Sequence, residues 1–186
     1  MFSGEEAMKG QFFIVGALFI CILLFFSVSP ATMLTGYSAD LEFCADNAAR
    51  EMPHALNMGI NSSKPVQTLE NFTLFMQENL AGRLITLKTA WFVFYQSGSS
   101  VNVTAGNFLG YNSSFMLNIS GTEKTLYVTS NQLNSTVFPV TGKTYDVSLD
   151  SVDIEMGAQL MTNKTSFYSL VILEKGSDMV RKEILA

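Results

Sequence analysis

The chain has 186 residues, of which 48% are hydrophobic and only 15% are charged, and its formal net charge is −5. This length allows one domain with a sizeable core and an appendage. Binding to nucleic acid needs a clustered basic surface, whereas the lysines and arginines of this chain are scattered singly, so no nucleic-acid partner is predicted.

The N-terminal part of the chain contains a long apolar segment. No charged residue occurs between Lys9 and Asp40, and from Phe12 to Val28 only one glycine and one serine interrupt strongly hydrophobic side chains. A helix of about 20 apolar residues is long enough to cross the hydrocarbon core of a bilayer. Residues 11–35 are therefore predicted to form a transmembrane helix, and residues 1–10 a cytoplasmic N-terminus or leader.

A removed secretory signal is the alternative interpretation of this segment. The apolar part of such a signal usually has about 7–15 residues and follows a basic region. Here the run is longer, and Glu5 and Glu6 stand before Lys9. The excess of positive charge on the cytoplasmic side of membrane helices places Lys9 inside, so we predict a single-pass protein of the cell membrane with a cytoplasmic N-terminus and an extracellular C-terminal domain.

Two segments after the apolar run have helical periodicity. Apolar residues recur every three or four positions from Tyr37 to Met58, where Pro53 predicts a bend, and again from Val66 to Lys88. We therefore predict that residues 36–89 form a helical stalk or the helical part of the ectodomain.

After Thr89 the spacing of the apolar residues changes from every three or four positions to every second position. Residues 90–186 are therefore predicted to form an antiparallel β domain. Short strands are expected at Trp91–Tyr95, Val101–Thr104, Phe115–Ile119, Thr125–Thr129, Thr144–Leu149, Phe167–Glu174 and Met179–Leu185. Strands at this spacing are typical of a β-sandwich. The predicted fold class is α+β: an N-terminal transmembrane helix and helical stalk followed by an antiparallel β-sandwich-like domain.

The two cysteines are not expected to pair. On a continuous helix, Cys21 and Cys44 would lie about 35 Å apart. Cys44 is expected to be a small buried hydrophobic residue, with an intermolecular bridge as the alternative.

Asn-x-Ser/Thr triplets are more numerous than chance allows, since about two are expected from this composition. Seven occur, all after the apolar run, at Asn61, Asn71, Asn102, Asn112, Asn118, Asn134 and Asn163. Such sequons are acceptors for N-glycosylation and indicate an exported, glycosylated surface. The alternative is that a β-rich domain uses many Asn, Ser and Thr residues at its turns.

No pattern predicts a catalytic, cofactor or metal site, and the protein is predicted not to be an enzyme. The single histidine, His54, offers neither a zinc site nor a catalytic triad. One acidic cluster consists of Asp146, Asp150, Asp153 and Glu155, which we interpret as a solvent-facing strand surface. A calcium site is the alternative, although calcium needs six to eight oxygen ligands. Phe108, Tyr111 and Phe138 are the candidates for an exposed aromatic binding patch on loops, and the alternative is that these side chains are half-buried.

The N-terminal motif resembles a known export signal. Lys9-Gly10-Gln11, followed directly by an apolar helix, is similar to the archaeal pilin-type signal, and this resemblance implies cleavage between Gly10 and Gln11. The layout also resembles accessory stator proteins of the archaeal flagellum. Pilins carry a glutamate five residues into the mature chain, and here that position is Val15. This departure weakens the case for a major, polymerising subunit and puts a minor pilin-like component or a simple anchored protein on an equal footing with it.

The predicted function is therefore that of a non-enzymatic, membrane-anchored, glycosylated surface protein, as a minor pilin-like or filament-accessory component. The alternative is a β-sandwich adhesion or envelope-binding module on a membrane anchor, outside any filament. The expected partners are the lipid bilayer and either copies of itself, other pilin-like subunits or a cell-envelope polymer.

Overall fold

The computed structural model describes residues 31–151, 154–161 and 164–186. In these residues two helices, α1 (Ala31–Asn61) and α2 (Pro65–Ala81), precede the strands, which are β1 (Thr86–Ser97), β2 (Ser100–Phe108), β3 (Ser113–Ile119), β4 (Thr122–Val128), β5 (Gln132–Pro139), β6 (Thr144–Asp150), β7 (Glu155–Met161), β8 (Thr165–Lys175) and β9 (Asp178–Leu185). The chain divides into two compact units, Met1–Ala39 and Asp40–Ala186, and these strands all belong to the second.

The strands form two antiparallel sheets. The large sheet has the order β5-β2-β1-β8-β9, and the small sheet has the order β4-β3-β6-β7. Strand β6 shows how the sequence makes one face of a sheet: Tyr145, Val147 and Leu149 are buried, while the residues between them are exposed. The apolar faces of the two sheets pack together, with Phe92 of the large sheet meeting Phe115 of the small sheet edge to face at 4.9 Å. The predicted β-sandwich is therefore confirmed.

Within the second unit, the outer face of the large sheet is covered by α2 and by the part of α1 from Asp40 on. They run antiparallel because residues 62–64 reverse the chain, and the Lys64 N–H donates to the Gly59 carbonyl at 2.8 Å. Both helices have an apolar face of helical period, and these faces pack with the large sheet into a second core. Its members include Leu41, Ala48, Met52, Leu56, Leu69, Leu80, Trp91, Val93, Phe108, Phe167, Val171 and Leu173.

The predicted fold class, with a transmembrane helix and a helical stalk before the β domain, is wrong. In the described residues the protein is mainly β-sheet, and the helices expected to form a stalk lie flat on the large sheet and share its core. A helical stripe in the sequence shows that one face is buried but does not identify what covers it. No helix within the described part of the chain is long and apolar enough to cross a membrane. Most of the expected span at 11–35 lies outside the described residues, as do Gly10 and Gln11.

The second predicted helix also ends earlier than its apolar pattern suggested. The prediction ran from Val66 to Lys88, but α2 ends at Ala81 and β1 begins at Thr86. Leu84 has a positive φ of 58° and is exposed, while Ile85 is buried. Leu87 continues the helical stripe by coincidence, because it lies in β1 and is buried in the same core, whereas Leu84 lies in the exposed turn before the strand.

Two strands were not predicted, and both lie at sheet edges. Strand β5 ends in Pro139 and has a single fully buried side chain, that of Phe138. Strand β7 contains Gly157 and Ala158, which have low strand propensity. The two strands escaped prediction for different reasons: β5 shows little alternation in burial, whereas β7 alternates but contains residues of low strand propensity.

One tryptophan joins the helices to the large sheet. The ring of Trp91 on β1 lies over Gly106 on β2, where an added Cβ would be 2.4 Å from the ring. The indole N–H donates to Thr73 Oγ1 at 3.2 Å, and the Thr73 hydroxyl donates to the Leu69 carbonyl at 2.8 Å. Glycine at position 106 therefore makes room for the residue that fixes α2 on the sheet.

Candidate functional site

A cleft of about 420 Å³ opens on the outer face of the large sheet, beside the turn between the helices. The turn supplies one wall, and strands β1 and β2 supply the floor. The residues that line the cleft include Ile60, Ser63 and Val66 from the helices and Tyr95, Asn102 and Thr104 from the strands. Volumes of roughly 300–1,000 Å³ are usual for small-ligand pockets, so this cleft has the size to hold a small ligand.

The local sequence explains the helical wall. A Cβ on Gly59 would lie 2.6 Å from the Cα of Pro65, so only glycine allows the start of α2 to come this close to the end of α1. Ser63 takes a left-handed conformation with φ 61°, and Pro65 occupies the first turn of α2. The wall is thus fixed by the backbone of the turn.

The floor is set by a tight hairpin between β1 and β2. Gly98, with φ 61°, lies in the turn, and the register places Tyr95 directly opposite Asn102. The Tyr95 side chain is 56% exposed. Thr104, opposite Val93, is half-buried. An exposed aromatic ring beside an amide and a hydroxyl offers both an apolar face and hydrogen-bonding groups.

Six of the seven predicted sequon asparagines lie in the described residues, and Asn163 lies outside them. Five of the six, Asn61, Asn71, Asn102, Asn112 and Asn134, are exposed, and Asn118 is half-buried. They are distributed over the helix pair, both sheets and the turn between β2 and β3.

Three of these asparagines hold the fold through their side chains. Asn112 Oδ1 accepts from Ser130 N at 3.0 Å, and Asn118 Oδ1 accepts from Gly121 N at 3.0 Å. Asn134 Nδ2 donates to the Tyr127 carbonyl at 2.7 Å, which links the edge strands of the two sheets. Among the described residues, the side chains of Asn61, Asn71 and Asn102 have no hydrogen-bond partner, so the amide of Asn102 is available in the cleft.

The hydroxyl residue of a sequon also differs in accessibility from site to site. Thr73, which completes the sequon of Asn71, is 1% exposed and hydrogen-bonded to Trp91. In the folded protein this sequon is helical and its threonine is inaccessible, so any modification of Asn71 must precede folding. Thr104, which completes the sequon of Asn102, lines the cleft.

The acidic cluster is spread along the exposed side of the small sheet. Asp146 and Asp150 point outward from β6, and Asp150 is paired in register with Glu155 of β7. Asp146 Oδ1 accepts from Gln159 Nε2 at 3.1 Å. Asp153 lies outside the described residues. Within the described ranges, no three His, Cys, Asp or Glu side chains come close enough together to hold a metal ion.

The remaining candidates lie apart from the cleft. His54 is exposed on α1. Cys44 is 4% exposed, as expected of a buried residue, and its sulfur accepts from the Arg83 guanidinium at 3.2 Å. Cys21 lies outside the described residues.

The predicted aromatic patch is wrong for two of its three members. Phe108 stacks on Trp91 with ring centroids 6.2 Å apart, and Phe138 is fully buried. Only Tyr111 is exposed. Sequence reasoning missed Tyr95, because the apolar run at 91–95 predicts a strand that is buried along its whole length. In the structure the burial ends at Phe94, and Tyr95 is exposed.

Comparisons with protein-family models and with curated proteins find no match for this chain. The fold therefore defines the protein only as a β-sandwich whose larger sheet is covered by a helix pair. Within the described residues, the cleft with Tyr95 and Asn102 is a candidate functional site.

Proposed function

We propose that this protein is a non-enzymatic cell-surface protein, anchored in the cell membrane by its apolar N-terminal segment, with a glycosylated β-sandwich outside the cell. The distribution of the sequons supports this proposal most directly. A glycan can remain on a folded domain only if its asparagine lies at the surface, and five of the six described sequon asparagines are exposed. They occupy several faces of the domain, as a surface coated with glycans requires.

The anchoring and the orientation rest on the sequence. The uncharged segment between Lys9 and Asp40 is long enough to cross a bilayer, and Lys9 favours a cytoplasmic N-terminus. The lipid bilayer is thus the first partner. The similarity of Gly10-Gln11 to a pilin-type signal favours a minor pilin-like or filament-accessory component, which adds copies of itself or other pilin-like subunits as partners.

The non-enzymatic character rests on the residues available for chemistry. The sequence has one histidine, and it has no nucleophile motif or phosphate-binding loop. In the described part of the chain, His54 and the carboxylates of β6 lie on exposed surfaces rather than in the cleft. The cleft itself presents a phenol, an amide and hydroxyls, which suit binding rather than bond cleavage.

A second candidate function is an adhesion or envelope-binding module on the same anchor, outside any filament. The cleft favours it, because an exposed tyrosine with neighbouring amide and hydroxyl groups can bind a sugar ring of a cell-envelope polymer. In this version Tyr95 contacts the partner directly.

N-terminal sequencing and intact-mass measurement of protein extracted from native membranes test the proposal. We expect a mass above that of the polypeptide, lowered stepwise by Asn→Gln changes at the exposed sequons. A first residue of Gln11 supports the filament version, and a first residue of Met1 removes it. A protein with the polypeptide mass alone would overturn glycosylation, and recovery in the soluble fraction without detergent would overturn anchoring.

Protease treatment of intact cells tests the orientation. The sandwich should be digested from outside while a cytoplasmic marker protein stays intact. Protection of the sandwich until the cells are lysed would contradict an extracellular location.

A further inference from the structure

The cleft contains an acceptor for glycosylation in its own floor. Asn102 lies directly opposite Tyr95 in the antiparallel pair of β1 and β2, and both side chains are exposed on the outer face of the large sheet. Opposite residues of such a pair have Cβ atoms about 4.5–5.5 Å apart. A sugar linked to Asn102 therefore begins within contact distance of the Tyr95 ring.

The Asn102 amide can be modified without loss of any hydrogen bond in the described structure. Its side chain has no partner there, in contrast to Asn134, whose Nδ2 links the two sheets. Glycosylation at Asn134 competes with that link, whereas glycosylation at Asn102 disrupts nothing.

The cleft also has the size and the chemistry for a sugar. Its volume of about 420 Å³ lies within the usual range for small ligands. The phenol ring of Tyr95 offers a flat apolar surface to the C–H face of a pyranose, while Ser63 and Thr165 place hydroxyl groups at the lining. Opposite the strands, Ile60 and Val66 close the cleft with apolar side chains.

We propose that the first sugar of a glycan on Asn102 lies in this cleft, against the ring of Tyr95, and holds the turn between α1 and α2 to the large sheet. The proposal rests on the proposed function, which requires glycosylation of the domain. If the proposal is correct, the glycan on Asn102 stabilises the fold, whereas the other glycans only shield the surface of the domain. The same cleft chemistry would accept a sugar from outside, so the source of the sugar must be tested.

The test is a double-mutant cycle on the full chain, made in a host that glycosylates it and purified in a mild detergent. Tyr95→Ala should lower the melting temperature of the glycosylated protein by about 2–4 °C, a typical shift for loss of one aromatic contact in a protein of this size. In the Asn102→Gln background the same change should have no effect. Tyr95→Phe keeps the ring and should keep the stabilisation.

The matched control is Asn61→Gln, which removes the sequon at the opposite wall of the cleft. Tyr95→Ala should lower the melting temperature equally with and without this change. Additive effects of Tyr95→Ala and Asn102→Gln would overturn the proposal, as would coupling of Tyr95 to Asn61 instead.

Glycopeptide mapping separates failure of this inference from failure of the proposed function. If other sequons carry glycans and Asn102 does not, the inference is overturned and the proposed function stands. If no sequon is modified in the native protein, glycosylation itself fails. Titration of unglycosylated protein with N-acetylglucosamine tests the outside source: binding that Tyr95→Ala abolishes, together with an unmodified Asn102, would assign the cleft to an external sugar and overturn the proposal.

Discussion

The two faces of the large sheet are buried by different means. The inner face meets the small sheet in a core of aromatic and aliphatic side chains, among them Phe92 and Phe115. The outer face meets the helices in a core that also contains polar contacts, such as that of Trp91 with Thr73. The inner core has a directed contact too, because the buried Asn107 donates to the Val128 carbonyl of β4 at 2.9 Å. The directed contacts of the outer core differ in that they also position the helices on the sheet.

This difference bears on the cleft, because the cleft exists only where the helices are correctly placed. Its wall is the turn between α1 and α2, and its floor belongs to β1 and β2. Changes to the inner face should affect the stability of the whole sandwich. Changes to the outer face should also alter the position of the helices and the shape of the cleft.

The largest effect is expected from Phe92→Ala on the inner face. Phe92 is fully buried between the sheets, so truncation leaves a cavity and should lower the free energy of unfolding by about 3–5 kcal/mol. Urea denaturation followed by circular dichroism measures this. Tyr127→Ala, at a side chain that is 72% exposed, is the control and should change the value by less than about 0.5 kcal/mol. An equal decrease in the free energy of unfolding in the two variants would contradict the assignment of Phe92 to the core between the sheets.

A smaller effect, specific to the outer face, is expected from Gly106→Ala. The added methyl group meets the Trp91 ring, and the overpacking should cost about 1–3 kcal/mol. Since Trp91 is the only tryptophan in the sequence, its fluorescence reports the displacement in the native protein. Gly157→Ala is the matched control, because a Cβ at Gly157 has no atom within 4 Å. An unchanged fluorescence spectrum in Gly106→Ala would show that the ring does not lie over this glycine.

The same contrast explains what the sequence could and could not predict. Alternation of apolar and polar residues, as in β6, predicted seven of the strands, because this signal is local. The stripe of α2 predicted a helix with a buried face but not its location on the large sheet. The pairing of Trp91 with Gly106 depends on the register of two strands, which no local pattern specifies.

The cleft was beyond sequence reasoning for a similar reason. The sequon at Asn102 and the aromatic Tyr95 are both visible in the chain, but their meeting depends on the register of the β1–β2 hairpin. The position of the helix turn beside them depends in addition on the close approach at Gly59. Seven sequons of equal appearance therefore gave no indication that one of them lies in a cleft.

Alkaline pH should affect the inner face through its buried tyrosines. Burial raises the pKa of Tyr145 to about 12 and also raises the pKa of Tyr168. Between pH 10 and 12 the unfolded state loses the Tyr145 proton while the folded state keeps it, so the free energy of unfolding falls as pH rises. The contribution of the buried, neutral Tyr145 to the free energy of unfolding is fully present below pH 10.

Tyr145→Phe removes that titration and should make the loss of stability between pH 10 and 12 shallower. Urea midpoints measured at intervals of pH give the slope directly. Within the described residues, the buried Tyr145 hydroxyl has no hydrogen-bond partner, so the change should cost little at neutral pH. The unchanged protein, measured in parallel, gives the reference slope. A slope in Tyr145→Phe as steep as in the unchanged protein would refute the effect of burial.

The smallest effect is expected from the ion pairs that join α1 to β9 at the rim of the outer face. Lys182 Nζ lies 2.6 Å from both Asp46 Oδ1 and Glu42 Oε1, and the hydrogen bonds that it donates to these carboxylates raise the pKa of Lys182. Both carboxylates are more than half exposed, so solvent screens the pairs. Lys182→Met should therefore lower the free energy of unfolding at low salt by much less than Gly106→Ala does, and the difference should vanish at high salt. The free energy of unfolding of Lys182→Met is compared with that of Arg181→Met, which changes the neighbouring residue on the opposite side of β9. A loss in Lys182→Met as large as that in Gly106→Ala would mean that charge, rather than the packing of Trp91, holds the helices on the sheet.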